Sequence, residues 1–298
     1  MLREREVFGT YHPVINFLFF ISVIVFGMFF IHPAFLVCSV ALSAMYLITV
    51  RGKSAFKLIV ILLFVFAAVT LVNPLIDPHG QHVLFRWLGG RAYTLEALRY
   101  GMAIGAMFIT IIMWFASYNS IMTSDKFLFI FGRTAPSITT VLTMVLRLVP
   151  NFKKKAVQIA GARKSIGKAG GNGIRDNINN GTAVVSSMMS WALEGGIVTS
   201  DSMKSRGFGT FERTSFSVYR FDSRDLGLMI TLIILIVIVA VCSLNGAAKT
   251  FYVPETVIHP IDNVYSITGI AAYGLLLAVP TALNIMEAMR WHISRSRI

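Results

Sequence analysis

Six stretches of this chain are long, apolar and free of Asp, Glu, Lys and Arg: Val14 to Ile31, Ala34 to Val50, Leu58 to Ile76, Tyr100 to Tyr118, Leu226 to Leu244 and Tyr265 to Ile285. A helix of about 20 residues rises about 30 Å, the thickness of a bilayer's hydrocarbon core, so each run is of spanning length. With 55% of its 298 residues hydrophobic and only 14% charged, against about a quarter charged in soluble domains, the chain is expected to be an integral membrane protein. Lipid offers a backbone no hydrogen bonds, so such runs must satisfy their own peptide groups as helices. The expected fold is all-α: a polytopic membrane helical bundle of about six spans. The first run lacks a small-residue cleavage site and is read as a retained span, not a signal peptide. Pro33 is expected to break the helix at a tight turn, and Asn73-Pro74-Leu75 to kink the end of the third span.

The apolar pattern is interrupted once, which divides the chain into membrane helices 1–118, coupling helices 119–222 and membrane helices 223–298. The middle part holds Lys153, Lys154, Lys155, Arg163, Lys164, Lys168, Arg175, Lys204 and Arg206, and charge on this scale has to sit in water. Ile138, Val141, Leu142, Val145, Leu148 and Val149 nevertheless keep the spacing of one helix face. Thr123-Ser124-Asp125 reads as a helix N-cap. An amphipathic helix is expected from Ser137 to Pro150, a basic helix onward to Gly167, a flexible Gly- and Asn-rich connector over Lys168 to Gly181, and a longer helix over Thr182 to Arg206. Gly207 can take the left-handed C-cap conformation with Phe208 as its hydrophobic partner. If the N-terminus is cytoplasmic, the loops facing out hold only Arg86, Arg91, Arg99 and Lys249 of the 27 Lys and Arg. The positive-inside rule then places both termini and this large insert in the cytoplasm of a cell (plasma) membrane protein. The net charge of +13 faces anionic membrane lipid or cytoplasmic partners, and nucleic acid is not implied.

Several activities find no support in the residues. Proton- or sodium-driven carriers usually keep an ionisable group at midplane, and these spans have none. Gly161-Ala162-Arg163-Lys164-Ser165-Ile166-Gly167-Lys168 has five residues between its glycines where a phosphate-binding loop has four, and Ala169 stands where the magnesium-binding hydroxyl belongs. His79 and His82 are spaced like a metal pair near Asp77, with no third or fourth ligand identifiable, and read as loop histidines. Cys38 and Cys242 fall inside apolar runs and read as packing residues. Glu194 belongs to a solvated helix face. The chain is expected not to be an enzyme and to hold no cofactor or metal of its own.

Two helix ends stand out. Ala162-Arg163-Lys164 and Ser205-Arg206-Gly207 each put an arginine in a last helical turn, where the helix dipole favours a cation and a guanidinium can reach carboxylates on a docking protein. On physical grounds alone, two ordinary solvated arginines would look the same. The first triplet, with Met203-Lys204-Ser205-Arg206-Gly207-Phe208-Gly209 some forty residues on, resembles the paired Ala-Arg-Gly signatures of the transmembrane T component of energy-coupling-factor transporters, the family of the cobalt-transporter Q proteins. His12-Pro13, Asn73-Pro74-Leu75 and Leu146-Arg147-Leu148-Val149-Pro150 extend the likeness over residues 10 to 225. Lys164 replaces the family's usual Gly, Ser205 its usual Ala, and two spans follow the insert where many relatives have one.

The resemblance implies a non-catalytic coupling subunit. Two ABC-type ATPase subunits would hydrolyse ATP, a separate S component would bind a vitamin or transition-metal ion, and this chain would join them through long cytoplasmic helices. By that resemblance Ala162, Arg163 and Lys164 would contact one ATPase, and Ser205, Arg206 and Gly207 the other. The helix from Ser137, with Val184, Met188, Met189 and Ala192, would meet the S component, methionine suiting a surface that repacks. The alternatives from the residues alone are a self-contained secondary transporter or channel, and an anchor whose basic insert binds anionic lipid.

Overall fold

The computed structural model describes residues 6–80, 82–86, 92–132, 135–167, 173–210, 219–252, 257–258 and 263–295. The chain forms two compact units, one from Met1–Phe127 and Tyr219–Ile298, the other from Leu128–Val218. Lys168, Pro254 and Pro260 lie outside the described residues.

The first unit opens with a 3-10 turn, Phe8–Thr10, and continues through α1 (Pro13–Phe29), α2 (Pro33–Arg51), α3 (Lys53–Ile76), a hairpin of β1 (Val83–Arg86) and β2 (Ala92–Thr94), and α4 (Leu95–Ile121). α5 (Ser124–Gly132) leaves it. After the second unit it resumes with α8 (Ser223–Leu244), a hairpin of β3 (Thr250–Phe251) and β4 (Val257–Ile258), and α9 (Val264–Arg295). Five of these helices, α2, α3, α4, α8 and α9, are long and apolar enough to cross a membrane. The protein is an all-α, membrane-embedded one. α1 is shorter, at 17 residues, a rise of about 26 Å.

Local chemistry sets the helix boundaries. Pro33 occupies the first turn of α2, where its missing N–H costs nothing, and the turn before it is as tight as expected from the sequence. His12 and His32 both act as N-caps, each Nδ1 accepting from the second helical N–H, at 3.4 and 3.2 Å. Gly52, at φ 58°, lets α2 turn directly into α3. Asp222 and Asp225 form a reciprocal capping box that starts α8. The segments that link α3 to α4 and α8 to α9 each hold a short hairpin. A pleated pair satisfies its own peptide groups, and Phe85 stacks on Tyr93 at 4.6 Å to hold the first one. Pro74 lies inside α3, which runs on to Ile76.

Packing in the membrane cannot lean on the hydrophobic effect, because lipid is as apolar as leucine, so close backbone approach takes its place. Gly101 and Gly105, four apart on α4, supply it. A Cβ at Gly101 would lie 2.8 Å from the Thr70 carbonyl oxygen of α3, and one at Gly105 2.9 Å from the Phe66 ring. Beside this seam Phe8, Phe19, Phe20, Tyr46 and Trp114 bury their rings completely or nearly so, Phe19 meeting Trp114 edge-on at 5.6 Å. The Tyr273 hydroxyl, buried between α2 and α9, donates to Ser39 Oγ at 3.1 Å.

The segment ahead of α1 is sewn into the same unit. Asn284 Oδ1 of α9 accepts from the N–H groups of Val7 and Phe8, at 3.0 and 3.3 Å. The Tyr46 hydroxyl donates to Glu6 at 3.0 Å. Burial pushes the Glu6 carboxyl above its ordinary range, with the Tyr46 hydrogen bond and Lys126 pulling the other way.

Two predictions follow from this packing. Gly101→Ala drives a methyl group against fixed backbone and should cost about 1–3 kcal/mol. Gly195→Ala, in the interior of the long helix over 174–205 with open space around it, should instead stabilise by about 0.5–1 kcal/mol. Thermal unfolding in detergent micelles separates them. The second concerns His12, whose pKa is lowered by burial, the Asp225 carboxylate opposing the shift. Its Nδ1 must be unprotonated to cap α1, so the stability it brings is present above its unfolded pKa of about 6.5 and lost as the pH falls through its lower folded value. His12→Asn keeps a capping acceptor that does not titrate. The variant should lose less melting temperature than the native chain between neutral pH and about pH 5.

Candidate functional site

The second unit is built on α6 (Pro136–Ser165) and α7 (Ile174–Ser205). α6 is one helix, where an interruption at Pro150 was expected. Pro150 is exposed, so water can take the carbonyl that the proline leaves without a partner. α7 begins eight residues before the expected Thr182, because Asn177 and Asn179 are tolerated on the exposed first turns and Asn180 is engaged by Arg163, and the connector shortens accordingly.

The two helices run antiparallel, and two contacts set their register. The rings of Phe152 and Trp191 meet edge-on at 5.5 Å, with Lys155 Nζ 5.7 Å over the same indole. Eleven residues further along α6, and eleven back along α7, Arg163 Nη2 donates to Asn180 Oδ1 at 3.1 Å. Val184, Met188 and Ala192 are half-buried and share the helix row of Asn180 and Trp191. Met189 is 64% exposed and belongs to a different row with Val185, Leu193 and Ile197, all of them uncovered. On α6, Ser137, Ile138, Val141, Leu142 and Val145 line a shallow groove that is almost wholly apolar. The four residues expected to form one docking surface are thus divided between an internal row and an outward one.

Both helices end on glycine. Gly207 has φ 78°, the Phe208 N–H reaches back to the Met203 carbonyl at 3.0 Å, and the Gly207 N–H reaches Lys204 at 2.9 Å. These two bonds make a complete Schellman cap, as the Gly207-Phe208 pair suggests in the sequence. Gly167, at φ 72°, repeats the second bond, its N–H on the Lys164 carbonyl at 3.1 Å. Residues 161–165 are helical throughout, so the glycines around them form no phosphate-binding loop.

The two arginines are held differently. Arg206 is exposed, as are its neighbour Ser205 and, on α6, Ala162 and Lys164. Arg163 is half-buried against α7, its Nη2 engaged by Asn180 while its Nε is buried without a hydrogen bond. Because the helices are antiparallel and Arg163 is level with Asn180, Arg206 lies about 39 Å further along the α7 axis. All six charged residues of α6 are basic: Arg147, Lys153, Lys154, Lys155, Arg163 and Lys164. α7 carries Asp176, Glu194 and Asp201 against Arg175 and Lys204. What α6 can do chemically is attract an acidic surface, and what Arg206 can do is present a guanidinium at the C-terminal end of a helix dipole.

Elsewhere, His79 Nδ1 lies 3.0 Å from the Asp77 carbonyl oxygen and its ring 5.4 Å from that of Tyr100. The His82 N–H donates to Glu96 at 3.3 Å. The His79 ring lies 3.8 Å from the Asp77 carboxylate and the His82 ring 4.0 Å from that of Glu96, so the two histidines face different carboxylates, and among the described residues no three His, Cys, Asp or Glu side chains gather as a metal site. Sequence reasoning missed the Arg163–Asn180 bond. Its signal was an asparagine in step with Val184 and Met188 on an otherwise apolar helix row.

No family model matches this chain, and no curated protein matches it.

Gly207→Ala tests how far the cap defines the α7 end. A Cβ in the left-handed region costs about 1–2 kcal/mol. The amide of Phe208 should exchange several-fold faster, while that of Gly167, which ends the other helix, should keep its rate.

Proposed function

We propose that this chain is the transmembrane coupling subunit of an ATP-driven importer, in which two ABC-type ATPase subunits act through it on a separate membrane-embedded S component that binds a vitamin or transition-metal ion. In this reading the chain hydrolyses nothing and selects no substrate. α1 completes six spans with the five longer helices, both termini face the cytoplasm of the cell membrane, and the second unit lies there too.

The observation that carries the reading is the α7 end. A complete cap holds an exposed arginine at the negative end of a 32-residue helix, a fitting shape for seating in an acidic groove of a partner. Ser205, Arg206 and Gly207 would contact one ATPase. Ala162 and Lys164 would contact the other directly, with Arg163 fixing the hairpin beneath them. The uncovered row of Val185, Met189, Leu193 and Ile197, with the α6 groove, would meet the S component. Closure of the ATPases on ATP would change the separation of the two helix ends and make α6 and α7 shear along the row that joins them.

Truncating one partner of a buried charged pair costs about 2–5 kcal/mol, which is about 30-fold or more in affinity. Arg206→Glu should therefore reduce recovery of the ATPases with this chain by at least that factor and leave its melting temperature unchanged. Arg163→Glu should lower the melting temperature as well, through the lost bond to Asn180. If ATPase recovery and substrate uptake both survive the double substitution, the assignment is wrong.

A further inference from the structure

The second unit is attached to the membrane bundle at two points in the chain, the end of α4 with the start of α5, and the start of α8. Both are tied to the short stretch ahead of α1. At the first, Lys126 is only 8% exposed, and its ammonium donates to the carbonyls of Gly9, at 2.5 Å, and Ile121, at 3.2 Å. Glu6 reaches the same place: Glu6 Oε2 and Lys126 Nζ would lie 3.8 and 3.9 Å from a Cβ at Gly9. At the second, the His12 N–H donates to Asp225 Oδ1 at 3.2 Å, and the other Asp225 oxygen accepts from the Asp222 N–H at 3.1 Å. Between these attachments the stretch is pinned to α2 through Tyr46 and to α9 through Asn284, with the Phe8 ring wholly buried.

A buried ammonium that loses its oxygen partners is strongly destabilised, so Lys126 cannot leave Gly9 and Ile121 cheaply. The geometry points to Glu6–His12 as a strap that joins both roots of the second unit to each other and to α2 and α9, with Lys126 and Asp225 as its positioning residues for the transmission of motion into the membrane bundle. This inference rests on the coupling function proposed above. It adds where the motion crosses into the membrane, which the arginine-tipped helix ends leave open. A pull on either root moves the strap, and the strap moves the start of α1 and the later turns of α2 and α9 together, because the same seven residues touch all of them. Without the strap each root would bend alone, at the α4–α5 junction or at the start of α8.

The test uses the full chain assembled with its ATPases and S component in proteoliposomes. Lys126→Met keeps the length and apolar stem of the side chain and removes its donors. Lys126→Arg returns a cation with donors. The Met variant should recover the ATPases and hydrolyse ATP within twofold of the native complex while uptake per ATP falls at least tenfold, and the Arg variant should restore most of it. Amide exchange of the chain alone should accelerate at both roots, 119–125 and 222–227, in the Met variant. Unchanged uptake per ATP in a Met variant whose residues 7–12 exchange freely overturns the strap. Acceleration confined to 119–125 overturns it too. If the native chain recovers no ATPase, the coupling function fails, and the exchange experiment still decides whether the strap joins the roots. Should Lys126→Met not accumulate, Asn284→Ala, which releases Val7 and Phe8 from α9, is read by the same measurements.

Discussion

A lysine ammonium almost sealed from solvent has to be answered by oxygen atoms, and the way Lys126 is answered shapes one end of this protein. Its partners are the carbonyl that ends α4 and the carbonyl of Gly9 in the 3-10 turn, and the Glu6 carboxyl stands close by. A Cβ at Gly9 would sit in ordinary contact with both charged groups, at 3.8 Å from Glu6 Oε2 and 3.9 Å from Lys126 Nζ, which places the carboxyl and the ammonium on the same side of the turn. The turn also brings Phe8 into the ring cluster of Phe19 and Phe20. Burial of an aromatic ring and satisfaction of a buried cation thus depend on the same few residues, and each makes the other worth keeping.

The membrane-embedded part shows the complementary economy. It excludes formal charge from its spans and uses small polar groups at short range, as in Tyr273 with Ser39, and glycine where backbones must meet, as in Gly101 and Gly105 against α3. Such a bundle is stiff where its helices touch and has no titrating site at midplane. For a subunit proposed to pass on motion, this is a suitable body: a displacement applied at one end is not absorbed by a change of protonation or by a loose core.

Much of the architecture was legible because the signals are physical limits. An uncharged run of about 20 residues can hardly be anything but a helix in lipid, and Pro33 and Gly207 mark helix ends through conformations other residues resist. Pro150 misled for an equally physical reason: proline breaks a helix only where the freed carbonyl has no alternative, and an exposed face supplies water. The asparagines before Thr182 looked like a connector by composition, yet a helix start on an exposed surface accepts them. The polar network of Glu6, Lys126, Asp225 and Asn284 joins residues more than two hundred positions apart. No local periodicity can reveal it, and lone charged residues next to spans read as ordinary membrane-end anchors. At the candidate site the sequence located both arginine-bearing helix ends and could not tell that they differ in exposure, because that depends on Asn180, seventeen residues from Arg163.

That difference bears on how a partner could use the two ends. Arg206 can be bound or released without disturbing the hairpin, since among the described residues no hydrogen bond or ion pair holds its side chain. Arg163 cannot, because pulling it outward breaks its bond to Asn180 at the place where α6 and α7 share their register. A partner acting at the α6 end would therefore grip Ala162 and Lys164 and leave Arg163 in place, so that its pull reaches α7 through the Arg163–Asn180 bond and the Phe152–Trp191 contact. A partner acting at the α7 end would pull on the helix axis alone. Two forces entering one hairpin, one across its register and one along it, would therefore load the Arg163–Asn180 bond and the Phe152–Trp191 contact, the two places where sliding of α6 along α7 is resisted.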